Sequence, residues 1–145
     1  MKLNLIEDKN LKETIVDIKY NIFDQKIKKV IEVIETNSIQ FEGIKDNNLS
    51  VIESQNVFYI ESVDNSTFLY TEADIYENKE KLYFLEEQLQ NTSFIRINKS
   101  TILNMDFLES VNPLPNYRLE ANLANGEKLI INRHYIQTVK QYLNI

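Results

Sequence analysis

The chain has 145 residues, 43% of them hydrophobic, and a formal net charge of −6, enough apolar material for one packed domain with at most a small appendage. It has no cysteine, one histidine (His134) and two glycines (Gly43 and Gly126), which excludes disulfides, thiolate or histidine metal clusters, cysteine nucleophiles and glycine-rich phosphate loops. There is no run of 18 apolar residues, and MKLNLIEDKN carries charges where a signal peptide needs an apolar stretch, so a soluble, cytoplasmic, non-enzymatic protein without metal or cofactor is expected.

In chain order, residues 2–6 and 14–20 predict two strands, the second by its period-two alternation. Phe23, Ile27, Val30, Ile31 and Ile34 then form one helical stripe, with Asn21 as the expected N-cap, Asp24 in the first turn and Thr36-Asn37-Ser38 as its end. From residue 39 the pattern changes to short runs rich in β-branched and aromatic residues: IQFEGI, a KDNN turn, LSVIE, VFYIESV, a DNS turn, TFLYT and ADIYE. Such spacing favours antiparallel sheet over alternating α/β units. Asn78 is the expected cap of a helix in KEKLYFLEEQLQ, whose Leu82, Leu85 and Leu89 share a face. After FIRINKSTILN come DFLESV, an irregular NPLPN, and a hairpin of YRLEANL and EKLII across Ala124-Asn125-Gly126. Tyr135, Ile136, Val139, Tyr142 and Leu143 predict a closing helix. The expected class is mostly β with short helices (α+β): an antiparallel sheet domain over residues 45–145, preceded by a β-β-α appendage over residues 1–44.

Charge is divided unevenly along this order. Residues 1–93 hold 10 Lys and Arg against 18 Asp and Glu, whereas residues 94–145 hold 6 against 4. The acidic total argues against nucleic acid, whose phosphates need cations, yet a chain of either sign binds DNA when its cations converge on one face. The sign changes at FIRINKSTILN, where Arg96, Asn98, Lys99 and Ser100 interrupt two apolar anchors. Taken alone, that is a strand end and a solvated turn.

Several elements together resemble the LytTR DNA-binding domain of bacterial response regulators, in a stand-alone short form without a receiver domain. They are VFYIES, LYT, a short helix ending LEEQL, FIRINKSTILN with its Arg96, Lys99-Ser100 pair and Asn104, and NGEKLIINRHYI before a terminal helix. The resemblance covers roughly residues 45–145 and implies an elongated, mostly β fold that sends loops into successive major grooves. It implies that Lys99 reads a base, that Ser100 contacts a phosphate and that Arg133 reads a second base, where a guanidinium can bond guanine through two donors. A third contact is expected from the turn of residues 64–67, through Asn65 or Thr67, although Asp64 departs from the family by placing a carboxylate there.

Each of these residues also has a plain structural reading. Lys99 and Ser100 suit any surface turn. Arg96 is either a phosphate contact or half of an ion pair with a core-edge Glu. Asn98 and His134 are further phosphate candidates, and His134 equally suits plain solvation. Asn104 is expected to be structural, and Tyr59, Tyr70, Tyr76 and Tyr83 to pack on sheet faces rather than stack on bases. Glu61, a lone carboxylate without metal or nucleophile, makes no active site.

The function expected is sequence-specific, double-stranded DNA binding by a transcription regulator. The alternative is a protein-interaction or ligand-sensing module on the same fold that has lost DNA binding. A homodimer on repeated half-sites is expected, with residues 1–44 supplying the contact or merely capping the domain, and a regulatory partner protein stays open as the source of input.

Overall fold

The computed structural model describes residues 1–37 and 39–145. Ser38, expected at the end of the first helix, lies outside the described residues. Helix α1 spans Gln25–Asn37. Its cap is Asp24 rather than the expected Asn21: the Asp24 carboxylate accepts from the Ile27 N–H at 3.1 Å, the N3 bond of a helix N-cap.

Neither strand expected in residues 1–24 forms; that stretch is irregular, with a turn at 9–10 and bends at 12–13 and 21–22, and almost wholly exposed. Alternation assigns side chains to faces but does not supply a hydrogen-bonding neighbour, and the sheet begins with two strands from later in the chain. Those are β1 (Gln40–Lys45) and β2 (Asn48–Glu53), so β1 crosses the boundary expected after residue 44. They are followed by β3 (Val57–Val63), β4 (Ser66–Thr71) and β5 (Ile75–Asn78), helix α2 (Leu82–Gln88), then β6 (Phe94–Asn98) and β7 (Thr101–Asn104). All seven strands form one antiparallel sheet in the order β2-β1-β5-β4-β3-β7-β6. A second sheet, β10-β9-β8, is built from β8 (Leu108–Leu114), β9 (Arg118–Leu123) and β10 (Lys128–Ile131), and α3 (Ile136–Leu143) closes the chain.

The two tight turns follow their residues. Asp46-Asn47 and Asp64-Asn65 take φ of 51° and 64°, and of 51° and 66°, the paired left-handed geometry of two-residue hairpins that Asp and Asn tolerate best. Gly43 is required for a different reason: a Cβ there would lie 2.8 Å from Ile52 and 2.9 Å from Tyr76. The NPLPN segment, expected to be irregular, continues β8 through Leu114, because β8 is an edge strand and Pro113 need not donate to a neighbour. Asn78 does not cap α2, which starts four residues later. Its side chain instead donates to the Glu42 carbonyl at 2.9 Å and accepts from the Glu80 N–H at 2.8 Å, tying β5 to β1.

The large sheet is buried on both faces, which explains the unbroken apolar run of VFYI in β3. One face packs Phe41, Ile60, Leu69 and Ile102 under Leu82, Leu85 and Leu89 of α2. The other packs Tyr59, Ile97 and Leu103 against Ala121, Leu123 and Ile131 of the small sheet and Val139 of α3. At about 1.5 to 3 kcal/mol for each large apolar side chain removed from water, these two layers dominate stability. Helix α1 docks on this body through a half-buried side bearing Ile27, Val30 and Ile31. The Tyr142 hydroxyl of α3 donates to Glu32 of α1, and burial first, with Glu32 second, pushes that phenol well above its ordinary range.

Candidate nucleic-acid interface

The turn between β6 and β7 is held from beneath. The Asn98 side chain donates to the Ile130 carbonyl at 2.9 Å and accepts from both the N–H and the hydroxyl of Ser100, at 2.9 and 3.0 Å. Arg96, its side chain 19% exposed, donates through Nε to the Asn98 carbonyl at 2.7 Å, through a second nitrogen to the Lys99 carbonyl, and through Nη1 to Glu86 at 3.3 Å. The ion pair with a Glu, one of the two readings of Arg96, is thus the one this geometry contains. Lys99 stands exposed above these bonds, with no ion pair among the described residues. The turn is also anchored sideways, because the Ser62 N–H of β3 donates to the Ser100 carbonyl at 2.8 Å.

The segment before Arg133 is tied to β6 by a second route. The Asn132 N–H donates to the Ile97 carbonyl of β6 at 2.8 Å, and a single 3-10 turn, Arg133–Tyr135, then leads into α3. Asn98 and Asn132 therefore fasten the segment before Arg133 to the strand before Lys99. Arg133 and His134 are exposed.

The β3–β4 turn splits the two residues proposed for it. Asn65 is exposed at the tip, whereas Thr67 is only 2% exposed and lies in β4 opposite Ser62 and Asn78. Alternation along β4 turns the Thr67 side chain inward, away from the exposed tip where Asn65 stands. A cation reaches this turn from elsewhere in the chain: Lys81 Nζ donates to the Asn65 carbonyl at 3.2 Å. Sequence reasoning passed over Lys81 because 16 positions separate it from the turn.

Three residues expected to be structural behave as such. Asn104 is fully buried, accepting from Ser93 Oγ at 2.8 Å and from the Asp106 N–H at 3.1 Å while donating to the Val57 carbonyl at 2.9 Å. Tyr59 and Tyr70 stack with centroids 4.2 Å apart, and the Tyr70 hydroxyl donates to Glu61 at 3.2 Å. Burial first, then Glu127 for Tyr59 and Glu61 for Tyr70, pushes both phenols up, so these rings are neutral props of the interior. Tyr83 differs from expectation by lying on the exposed side of α2 rather than on a sheet face.

A turn-presented cation beside a second one at the start of the last helix is the arrangement to compare with known proteins. The family model of the LytTr DNA-binding domain matches residues 47–144. The chain belongs to the LytTr DNA-binding domain family. The LytTr domain of a protein described as a methyl-accepting/DNA response regulator from Bacillus cereus superposes with a TM-score of 0.68 at 21% identity, covering 73% of this chain and 97% of that one. That likeness shows the fold. Over 147 aligned residues the chain is 27% identical to an uncharacterized HTH-type transcriptional regulator of Staphylococcus aureus strain NCTC 8325 / PS 47, covering 100% of this chain and 99% of the relative. A counterpart from strain MRSA252 is 26% identical over the same shares. Among the described residues of this LytTr chain no two α-helices are consecutive, so it contains no helix-turn-helix of its own. No helix of the described residues is long and apolar enough to cross a membrane.

Proposed function

We propose that this LytTr protein, a DNA-binding regulator by family, binds double-stranded DNA sequence-specifically and reads major-groove base edges through turns. Lys99 and Arg133 are the base readers, and Asn65 is a third contact with Lys81 supplying charge beside it. His134 contacts phosphate, as does Ser100 once its hydroxyl turns from Asn98 Oδ1 to a phosphate oxygen, while Arg96 and Asn98 act as positioning residues beneath the turn. One observation carries this reading: the polar groups around Lys99 are spent on holding the turn, while Lys99 and Arg133 stand exposed and unpaired by any described carboxylate. Binding selection from random duplexes tests it; a defined motif bound in a salt-sensitive manner is expected. Recovery of no motif, with no salt-sensitive shift on any duplex, would support a module that has lost DNA binding.

We further propose a homodimer on repeated half-sites, joined through α1, since one small module gains affinity when the second contact becomes intramolecular. Phe23, Val33 and Ile34 stay exposed beside the docked face of α1, so this apolar stripe is wider than its own domain uses. With Phe23 and Ile34 both changed to Glu, the folded protein should sediment as a monomer and lose its advantage on paired sites. A wild-type protein that is monomeric on paired sites would overturn the dimer.

A further inference from the structure

Arg133 opens onto a groove of about 790 Å³ between the tip of the β8–β9 hairpin and α3. Three cations line it, Arg118, Arg133 and Lys140, and no carboxylate does. In a chain with 22 acidic against 16 basic residues, this is a marked separation of charge. The groove between β1 and α2 sets Glu42 and Glu80 against Lys79, and the depression at Lys99 includes Glu61. Among the described residues, Lys29, Lys45, Lys79, Arg96 and Lys128 have ion-pair partners, whereas these three, like Lys81 and Lys99, have none. Like charges gathered in one groove repel one another, a cost that a polyanion relieves.

The hairpin tip presents its cation in a fixed place. Asn116 and Tyr117 take left-handed φ of 66° and 57°, and Arg118 Nε donates to the Pro115 carbonyl at 3.2 Å. Tyr117, 80% exposed, projects beyond it. The groove's rim consists of exposed side chains, Tyr117, Arg133, Gln137 and Lys140, so it suits a strand passing along it better than a small anion enclosed within it.

We propose that this groove carries the phosphodiester backbone of double-stranded DNA, with Arg118 and Lys140 as phosphate contacts flanking the base read by Arg133. The inference rests on the DNA-binding reading and extends it to a hairpin that motif spacing does not single out. The test measures full-length wild type, Arg118→Gln, Lys140→Gln and the control Lys79→Gln on the selected duplex and on a scrambled one, across a salt series. Lys79 carries the same charge but pairs with Glu42 at 3.3 Å in a different groove. Arg118→Gln and Lys140→Gln should each weaken both duplexes by a similar factor and lower the salt slope by about 1, while the control changes neither beyond its effect on net charge. Lys140 is exposed near the end of α3, so its replacement keeps the test open should Arg118→Gln disturb the hairpin. Unchanged slopes for both variants, with wild type binding normally, overturn the groove alone. Wild type binding neither duplex in a salt-sensitive manner overturns the DNA reading and the groove with it.

Discussion

The turn at residues 98–100 and the groove around Arg133 use the same residue types to opposite ends. Around the turn, an arginine, an asparagine and a serine are consumed by one another, by backbone carbonyls and by Glu86. Around the groove, two arginines and a lysine have no described carboxylate paired to them, and of their nitrogens only Arg118 Nε donates to a described carbonyl, that of Pro115. Position within a bonding network, and not residue type, separates a side chain that builds an interface from one that uses it.

The largest effect should come from removing the builder. Arg96→Ala deletes three donated bonds, one to a carboxylate, from a mostly buried guanidinium, and should cost about 2 to 3 kcal/mol of stability by urea denaturation. DNA affinity should fall on every sequence alike, since the turn loses its support. Arg133→Ala should do the reverse: stability within about 0.5 kcal/mol of wild type, but a loss of about 1 to 3 kcal/mol on the specific duplex with relaxed preference at one base pair. Equal loss on specific and scrambled DNA would reduce Arg133 to a phosphate contact and erase the contrast.

A smaller effect separates two neighbours within the turn itself. Lys99→Ala should change the motif returned by selection and cost about 1 to 2 kcal/mol on the original site. Ser100→Ala should leave the motif and the salt slope intact and cost about 0.5 to 1 kcal/mol, because the Ser100 N–H still satisfies Asn98 Oδ1 once the hydroxyl is gone. An unchanged motif from Lys99→Ala would sink its base-reading role.

This contrast also explains what was legible beforehand. Strands from residue 40 onward, the NG hairpin, α2 and α3 were readable because period, turn residues and apolar stripes agree locally. Residues 2–6 and 14–20 carry the same strand pattern without an edge to pair with, and pairing is a property of the whole chain. Lys99 and Arg133 lie in contiguous motifs and could be singled out. Lys81 at the β3–β4 turn and Arg118 beside Arg133 could not, since the fold alone brings them there from other elements, and Lys140, two helical turns after Arg133, belongs to no contiguous motif. Thr67 shows the opposite case: it adjoins the turn in sequence, yet strand alternation buries it.

The smallest expected effect is accordingly at Thr67. Val replaces its hydroxyl with a methyl of similar volume at a site 2% exposed, so neither the selected motif nor the salt slope should move, and any change should be confined to a stability shift of about 1 kcal/mol or less. Asn65→Ala, two residues away at the exposed tip, should alter preference at a single position while leaving stability nearly unchanged, apart from the strain of Ala at a φ of 66°. Asn65→Gly removes that strain and keeps the deletion, so a motif that shifts with both Ala and Gly reports a lost side-chain contact, and one that shifts with Ala alone reports a distorted turn. Should Thr67→Val change the motif while Asn65→Gly does not, the β3–β4 turn must rearrange on DNA to expose what the free protein buries, and the division into builders and readers would fail at this turn.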